Sequence, residues 1–462
     1  MTEIHLSFDR GTLRLDGPVE PTLSALGRFD DRTGHFRAAA YRYDDIRRAC
    51  GEFGVTLEDR VGPAAFDPPP RAPIPSLRPY QEQAIAALER FGRRGVVALP
   101  TGSGKTRVAC AALARAGRSS LILVPTRALL DQWASVLRAG FGEPVGLFGD
   151  GSRTVEPITV MTFESAYRCL DRYGHRWSAL VVDEAHHFSG GARAEALEMC
   201  CAPIRIGLTA TPPPPGSPGE GRLRDLIGPV VFELTIAELA GRDLAELDVV
   251  RLPVALTADE RIAYERDASP FLSLRRDLLR VTPGADWVTC LRAIASMPGG
   301  GEVIAAFHRA SALASFPSAK RAAVRSLLAR HRAEPTLLFT ATTEDAYAIG
   351  ADALIPVITA DVPRGEREAI LAAFRARVVR AIASARVLNE GVDVPEASVA
   401  VITGGALGQR EHIQRIGRIL RPREGKRAVA YELVTLDTID EARSRARRSR
   451  LVADRPALHD PR

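Results

Sequence analysis

The sequence lacks long apolar runs and lacks cysteines at metal-ligand spacing. No run of about 18 apolar residues occurs, which excludes a membrane-spanning helix. The first ten residues mix polar and apolar side chains, so we expect no secretory signal. The six cysteines form no Cys-x-x-Cys pair, which favours reduced thiols in the cytoplasm over a disulfide framework or a zinc site.

The length and composition are those of a multidomain globular protein. The 462 residues are 46% hydrophobic and 26% charged, and at about 150 residues per domain they predict about three domains. The net charge of +6 and the pI near 9.2 favour a polyanionic partner. Arginine outnumbers lysine, which suits phosphate contacts but is equally expected of a GC-rich genome. Charge alone therefore leaves the partner open.

Short apolar segments alternate with helical patterns in two stretches of the chain, which predicts two parallel sheets covered by helices on both faces. The predicted strands are 96–99, 121–124, 158–161, 180–182 and 204–208, then 336–339, 354–358, 378–383, 399–402 and 428–433. The predicted segments are a small α+β domain at 1–60, a proline-rich linker at 61–79, a first α/β domain at 80–245, a helical insertion at 255–320, a second α/β domain at 330–440 and a basic tail at 441–462.

Two local patterns complete this outline. In the N-terminal domain, strands are predicted at 4–8, 12–15 and 36–43, and a helix at 43–53. The segment 212–219 is rich in proline, which fits neither a helix interior nor a central strand, so an exposed loop is predicted there.

A glycine-rich turn joins the strand that ends at Leu99 to a helix that begins near Thr106. Glycines let backbone N–H groups approach phosphate oxygens, and the helix N-terminus adds partial positive charge. Lys105 is expected to contact the β- and γ-phosphates, and the Thr106 hydroxyl to bind Mg²⁺. An ordinary turn before a helix is the simpler alternative. The predicted nucleotide-binding residues of this loop are Thr101, Gly102, Ser103, Gly104, Lys105 and Thr106.

The predicted strand at 180–182 is followed by two carboxylates, Asp183 and Glu184. This position is the carboxyl edge of a parallel sheet, where ligands of such sheets bind. Asp183 is expected to hold Mg²⁺ through water, and Glu184 to orient and deprotonate an attacking water. The alternative is an acidic pair that caps the following helix.

The glycine turn and the acidic pair together resemble the ATP-binding motifs of superfamily 2 helicases of the DEAH type, through Gly102-Ser103-Gly104-Lys105-Thr106 and Asp183-Glu184-Ala185-His186. Further segments resemble the other motifs of that family in order: Leu77-Arg78-Pro79-Tyr80-Gln81, Val124-Pro125-Thr126-Arg127, Thr162-Phe163-Glu164-Ser165, Gly207-Leu208-Thr209-Ala210-Thr211-Pro212, Leu388-Asn389-Glu390-Gly391-Val392-Asp393-Val394-Pro395 and Gln414-Arg415-Ile416-Gly417-Arg418-Ile419-Leu420-Arg421-Pro422.

The resemblance implies a role for each motif. Gln81 would hydrogen-bond the adenine edge, and the other nucleotide-binding residues outside the glycine turn would be Arg78, Gly391 and Asp393. The residues that link the nucleotide to the nucleic-acid site would be His186, Thr209, Thr211 and Gln414. Contacts to the nucleic-acid backbone are expected from Thr126, Arg127, Thr162, Ser165, Thr340 and Thr342, although each of these can equally be a helix cap or turn residue.

Arg418 and Arg421 lie one helical turn apart. Supplied by the second α/β domain, they are expected to act as arginine fingers that offset the charge of the transferring γ-phosphoryl group. Such fingers are worth ~10³–10⁵ in rate. The alternative is a basic helix face in solvent. Trp133 and Trp177 are predicted to be buried, and base stacking is their alternative.

The segments 388–395, 411–422 and 428–433 are most similar to XPB-type DNA helicases, as is Leu130-Asp131-Gln132-Trp133. The resemblance implies an α/β fold of two RecA-like parallel-sheet domains, with a helical thumb-like insertion and a small N-terminal α+β domain that acts on damaged DNA. It implies ATP and Mg²⁺ as cofactors, 3′–5′ movement along DNA or unwinding of DNA, and a location in the cytoplasm on the nucleoid. A nuclease subunit is a further implied partner. Family members carry an Arg-Glu-Asp triplet where this chain has the prolines of 212–218, which predicts translocation with poor strand separation.

Three alternatives stay open. A DEAH-type RNA helicase would use the same motor, because the distinction rests on contacts with the 2′-OH. A translocase subunit of a restriction or defence system would also share it. A clamp that binds ATP without turnover is disfavoured by the intact Lys105, Asp183, Glu184, Arg418 and Arg421.

Overall fold

A computed structural model describes residues 3–17, 21–62, 76–142, 144–149, 151–385, 396–404 and 427–448. The chain divides into two compact units, the first ending at Thr235 and the second beginning at Ile236. None of the helices in these ranges combines the length and apolar character needed to span a membrane.

The first unit opens with a small sheet in the order β3-β4-β2-β1-β5, antiparallel except where β1 pairs with β5. One face of this sheet is apolar because alternate residues of β1 and β2 point inward, including Ile4, Leu6 and Leu13. The elements are β1 (Glu3–Asp9), β2 (Thr12–Asp16), α1 (Pro21–Ser24), β3 (Gly27–Asp30), β4 (His35–Ala39), a 3₁₀ turn (Ala40–Arg42), α2 (Tyr43–Glu52) and β5 (Thr56–Asp59).

The prediction of one strand over 36–43 is wrong beyond Ala39. The 3₁₀ turn leads directly into α2, whose first turn carries Asp44 and Asp45, and acidic side chains stabilise a helix N-terminus. Strands β3 and β5 were not predicted. Both are short and half-exposed, so they carry little of the apolar alternation that marks a strand.

A larger sheet follows, in the order β13-β6-β12-β11-β7-β10-β8-β9. Its strands are parallel except for the short β8–β9 hairpin. The elements are α3 (Pro79–Arg90), β6 (Arg94–Ala98), α4 (Lys105–Ala116), β7 (Ser120–Val124), α5 (Arg127–Phe141), β8 (Val145–Gly149), β9 (Ser152–Arg153), β10 (Ile158–Thr162), α6 (Phe163–Tyr173), β11 (Ala179–Asp183), α7 (Glu195–Glu198), β12 (Ile204–Thr209), α8 (Pro218–Leu226) and β13 (Val230–Glu233). All five strands predicted for this sheet are confirmed.

The N-terminal sheet packs against this larger domain. Phe8 stacks near His175 with ring centroids 4.7 Å apart, and Cys201 lies in the apolar core of the small sheet. Gly11, at a φ of +80°, approaches so closely that a Cβ there would come within 2.7 Å of Met199 Cγ. The small domain is therefore anchored to the first α/β domain by apolar contacts.

The prediction of an exposed loop over 212–219 is only partly right. Pro212 and Pro213 are buried, and α8 begins at Pro218 with Ser217 as its cap. Proline is favoured at the first position of a helix because its missing N–H has no partner there in any case.

The second unit contains a six-stranded parallel sheet, in the order β14-β19-β18-β15-β17-β16 among the residues described. Its elements are α9 (Ile236–Leu239), β14 (Glu246–Val254), α10 (Ala258–Val281), α11 (Trp287–Ala295), α12 (Gly300–Ser315), α13 (Ser318–Arg330), β15 (Thr336–Phe339), α14 (Thr343–Ala353), β16 (Val357–Ile358), α15 (Arg364–Arg375), β17 (Ala381–Ser384), β18 (Val399–Ile402), β19 (Arg427–Thr435) and α16 (Ile439–Arg448).

The helices α10, α11 and α12 lie in the segment predicted as a helical insertion, and Phe271, Ile294 and Phe307 form a core among them. Strand β14 was assigned to no predicted domain, yet it pairs with β19 along its whole length. At the other end, α16 takes up the start of the predicted tail, where Arg443 donates a 3.4 Å hydrogen bond to Ser311.

A buried ion pair joins distant parts of this unit. The Lys320 ammonium pairs with Asp440 Oδ2 at 2.8 Å and donates to the carbonyls of Ser315 and Thr403. These contacts tie α13 to α16 and to the end of β18, and they satisfy a charge that would otherwise be costly to bury.

Candidate nucleotide and nucleic-acid site

Parallel pairing brings the predicted motifs to one edge of the larger sheet. Ala98 lies beside Thr209, and Leu208 lies beside Asp183. Val124 lies beside Thr162 in the same register. Because the carboxyl ends of parallel strands share an edge, the loops that follow β6, β12, β11, β7 and β10 are neighbours.

The glycine turn after β6 has the backbone that a phosphate-binding loop requires. Gly102 and Gly104 adopt φ values of +87° and +82°, which other residues rarely adopt. Helix α4 begins directly at Lys105, so its free N–H groups face the turn. A Cβ at Gly104 would come within 2.6 Å of Gln81 Nε2, which shows how closely α3 lies beneath the turn.

Two side chains from α3 hold this turn. Tyr80 and Gln81 both donate hydrogen bonds to the Ser103 carbonyl, at 2.6 and 2.8 Å. Gln81 Oε1 also accepts from the Arg78 N–H at 3.0 Å, and only 3% of Gln81 is exposed. The role of Tyr80 was missed, because nothing local in the sequence shows which carbonyl a tyrosine reaches. The adenine contact assigned to Gln81 stays a prediction.

Lys105 lies within the turn, where its ammonium donates to the carbonyls of Leu99 at 3.1 Å and Pro100 at 3.4 Å. The Ser103 hydroxyl donates to Pro100 as well, at 2.7 Å. The turn is therefore closed on itself, with its cation beside the place where phosphates are expected.

Asp183 ends β11 and is 6% exposed. Its Oδ1 accepts from the Glu184 N–H at 3.0 Å, and its Oδ2 accepts from the indole N–H of Trp133 at 2.9 Å. Burial raises the pKa of the Asp183 carboxyl, while the Trp133 hydrogen bond and the positive charge of Lys105 oppose that shift. Trp133 is buried, as predicted, and its bond to Asp183 was not foreseen.

Glu184 adopts a left-handed backbone with a φ of +50°, which is uncommon outside glycine and is often found at functional sites. Its Oε2 lies 3.5 Å from His186 Nδ1, and that nitrogen lies 3.0 Å from the Thr209 hydroxyl. The Thr209 hydroxyl also accepts from the Thr211 N–H at 3.1 Å. A chain of contacts therefore runs from Glu184 to the loop after β12.

These residues fit a magnesium nucleotide. Mg²⁺ prefers carboxylate and hydroxyl oxygens together with phosphate oxygens, and Asp183 at the end of β11 and Thr106 in the first turn of α4 would offer the first two. The absence of a Cβ at Gly104 lets the turn pack directly on Gln81, and the positive φ of Gly102 and Gly104 gives the turn a backbone suited to phosphates.

Three of the six predicted nucleic-acid contacts are helix caps in this structure. Thr126 caps α5 by accepting from Leu129 N–H at 3.3 Å, Thr162 caps α6 and bonds Ser165, and Thr342 caps α14. Thr340 is fully buried and donates to the Thr342 carbonyl at 2.7 Å, whereas Arg127 is exposed. The capping alternative is thus realised for three threonines, and contact with nucleic acid stays a prediction for all six residues.

Several predicted site residues lie outside the described residues. They are Gly391, Asp393, Gln414, Arg418 and Arg421.

Replacing Gly104 by alanine should lower ATP affinity by about tenfold or more. The new Cβ displaces the Gln81 amide, and about 1 kcal/mol is lost for each hydrogen bond broken at Ser103 and Arg78. Gly117→Ala is the matched control, because Gly117 ends the same helix at a φ of +55° with open space around it. Titration of a fluorescent ATP analogue measures both variants, and equal affinities would contradict the described geometry.

Three family models match this chain. Residues 74–214 match the type III restriction enzyme res subunit, and residues 319–423 match the helicase conserved C-terminal domain. Residues 6–61 match the xeroderma pigmentosum group B helicase damage recognition domain. The crystal structure of the Hef helicase domain of Pyrococcus furiosus superposes with a TM-score of 0.54 and 19% identity, covering 80% of this chain and 98% of that one. This likeness confirms the predicted α/β class with RecA-like parallel sheets.

Two relatives extend the match along the chain. A DNA 3′-5′ helicase XPB of Mycobacterium tuberculosis is 31% identical over 392 residues, which are 82% of this chain and 64% of the relative. A DNA 3′-5′ translocase XPB2 of Sulfurisphaera tokodaii is 33% identical over 449 residues, which are 96% of this chain and 100% of the relative. Identity at this level over a relative's full length, together with the match at residues 6–61, shows that the chain belongs to the XPB-type family of superfamily 2 helicases.

Proposed function

We propose that this chain couples ATP hydrolysis to 3′–5′ movement along DNA. The observation that carries the proposal is the meeting of the glycine turn, the buried Asp183 and Glu184 at one sheet edge, beside the capped starts of α5 and α6. The two relatives described above are named as a 3′-5′ DNA translocase and a 3′-5′ DNA helicase, which supports DNA as the polymer and the polarity.

The proposed hydrolysis uses residues already held in place. Glu184 takes the proton of an attacking water, because it directly follows the strand that ends beside the phosphate turn and its side chain lies mostly buried against His186. Lys105 exchanges its bonds to Leu99 and Pro100 for phosphate oxygens. Thr106 and Asp183 would hold Mg²⁺, which supplies positive charge against the phosphates when bound.

The remaining assignments of the site rest on the resemblance. Arg418 and Arg421 would stabilise the charge of the transition state, and Gly391 and Asp393 would bind nucleotide. The contact of His186 with Thr209 supports their assignment to coupling, because it joins the ends of adjacent strands. The sequence Asp183-Glu184-Ala185-His186 supports placement in the DEAH subclass.

Strand separation is proposed to be weak. Charged residues that follow the loop of 212–217 are already paired, Arg222 with Glu198 at 2.7 Å and Arg224 with Glu220 at 3.8 Å. These partly exposed ion pairs do not reproduce the Arg-Glu-Asp triplet. The chain would move along DNA more readily than it opens a duplex.

The N-terminal sheet is proposed to bind damaged DNA, which the match at 6–61 supports. A nuclease partner and a location on the nucleoid remain predictions from the resemblance.

A translocase subunit of a restriction system is the second candidate, because residues 74–214 match the type III restriction enzyme res subunit. An RNA helicase that uses the same motor domains is the third candidate. The polymer that stimulates hydrolysis distinguishes DNA from RNA, and activity of the chain alone distinguishes a self-sufficient motor from a subunit.

The purified chain should hydrolyse ATP faster with single-stranded DNA than with RNA, by about tenfold or more, because a DNA motor is expected to grip the DNA backbone productively. Phosphate release measured beside displacement of a streptavidin block from either DNA end gives rate and direction together. Preferential stimulation by RNA, displacement of the block at the 3′ end only, or no hydrolysis without a second subunit would overturn the proposal.

Glu184→Gln should lower ATP turnover by about 10²–10⁴-fold while leaving ATP and DNA affinity unchanged, because the amide keeps the shape of the carboxylate but takes no proton. Glu89→Gln is the control, since Glu89 lies exposed on α3 away from the turn. Single-turnover phosphate release measures the loss. Turnover equal to that of the control would remove Glu184 from its assigned role.

A further inference from the structure

Trp133 and Asp183 are joined by a buried hydrogen bond that links two motifs far apart in sequence. The indole nitrogen donates to Asp183 Oδ2 at 2.9 Å, and only 1% of Trp133 is exposed. An indole N–H is purely a donor, and a bond to a carboxylate is charge-assisted. This side chain therefore cannot stack on a base, and it fixes the orientation of the Asp183 carboxylate.

The helix that carries Trp133 begins at the predicted nucleic-acid contact. Thr126 caps α5 and Arg127 is its first residue, exposed to solvent. Trp133 lies about 10 Å further along the axis, at 1.5 Å per residue. Leu130, Trp133 and Leu137 form the buried face of α5. Because α5 is one continuous helix from Arg127 to Phe141, a rigid-body displacement of its start would also move the indole.

We propose that Trp133 is a positioning residue that holds the Asp183 carboxylate for Mg²⁺ and conveys nucleic-acid binding at the start of α5 to that carboxylate. The inference rests on the proposed function, since it assigns the regulation of the same site. Trp133 touches no reacting atom and acts through Asp183.

The chain offers a matched control at the other end of the same strand. Trp177 lies just before β11, is fully buried, and donates its indole N–H to the Glu156 carbonyl at 3.2 Å. Trp133→Phe and Trp177→Phe each remove one buried indole hydrogen bond from one domain. They differ in that only the first removes the indole donor from Asp183 Oδ2.

The first test measures how Mg²⁺ tightens the binding of a fluorescent ADP analogue. Trp133→Phe should raise the Mg²⁺ concentration for half-maximal tightening by about tenfold or more, the loss expected for one hydrogen bond to a charged group. Trp177→Phe should stay within about twofold of the unmodified chain. An unchanged Mg²⁺ requirement in Trp133→Phe, or equal changes in both variants, would overturn the positioning role.

The second test keeps Trp133 and so does not depend on whether its variant folds. The chain has three tryptophans, so Trp177→Phe with Trp287→Phe leaves Trp133 as the single emitter. Single-stranded DNA, without nucleotide, should shift the emission of this protein. An unchanged emission would overturn the coupling.

The two tests of Trp133 can fail independently of the proposed function. If DNA fails to stimulate ATP hydrolysis by the unmodified chain, the proposed function fails. If DNA stimulates it and both tryptophan tests are negative, only the assignment of Trp133 fails.

Discussion

Parallel pairing of β6, β12, β11, β7 and β10 is the constraint on which the site depends. Each of these strands is almost wholly buried on both faces, as is typical of a parallel sheet covered by helices. The register fixes which loops become neighbours, and it sets Asp183 beside the turn that follows Thr209. The chemistry follows from that alignment, because phosphoryl transfer demands charge placed in fixed positions more than it demands reactive side chains.

Burial disfavours the charged form of the Asp183 carboxyl, and its neighbours oppose this effect. A carboxylate out of water favours its neutral form, whereas the role of metal ligand proposed for Asp183 requires the charged form. The indole of Trp133, the Glu184 N–H and the ammonium of Lys105 all favour the charged form. The same low exposure that makes the site costly to build strengthens every charge interaction inside it.

The sequence was sufficient for the parts of the fold that are local. The glycine turn, most strands of both large sheets and the burial of Trp133 follow from spacing and composition within a few residues, whereas β8, β9 and β13 were not predicted. Contacts between distant segments were not predictable, since no local signal marks the bond of Tyr80 to Ser103 or of Trp133 to Asp183. Strand β14 was not predicted for the same reason, because it is defined by its pairing with β19, which lies far along the chain. The role of the threonines could not be predicted from the sequence. A hydroxyl that precedes a helix can either cap that helix or donate a hydrogen bond to a phosphate oxygen.

The central claim is that one sheet edge holds a magnesium nucleotide through Asp183. Its most direct test compares the affinity of the unmodified chain and of Asp183→Asn for an ATP analogue, with Mg²⁺ and with a chelator. The account predicts that removing Mg²⁺ weakens binding to the unmodified chain by about tenfold or more, and that the asparagine variant shows little dependence on Mg²⁺. An asparagine variant that keeps the full dependence would contradict it.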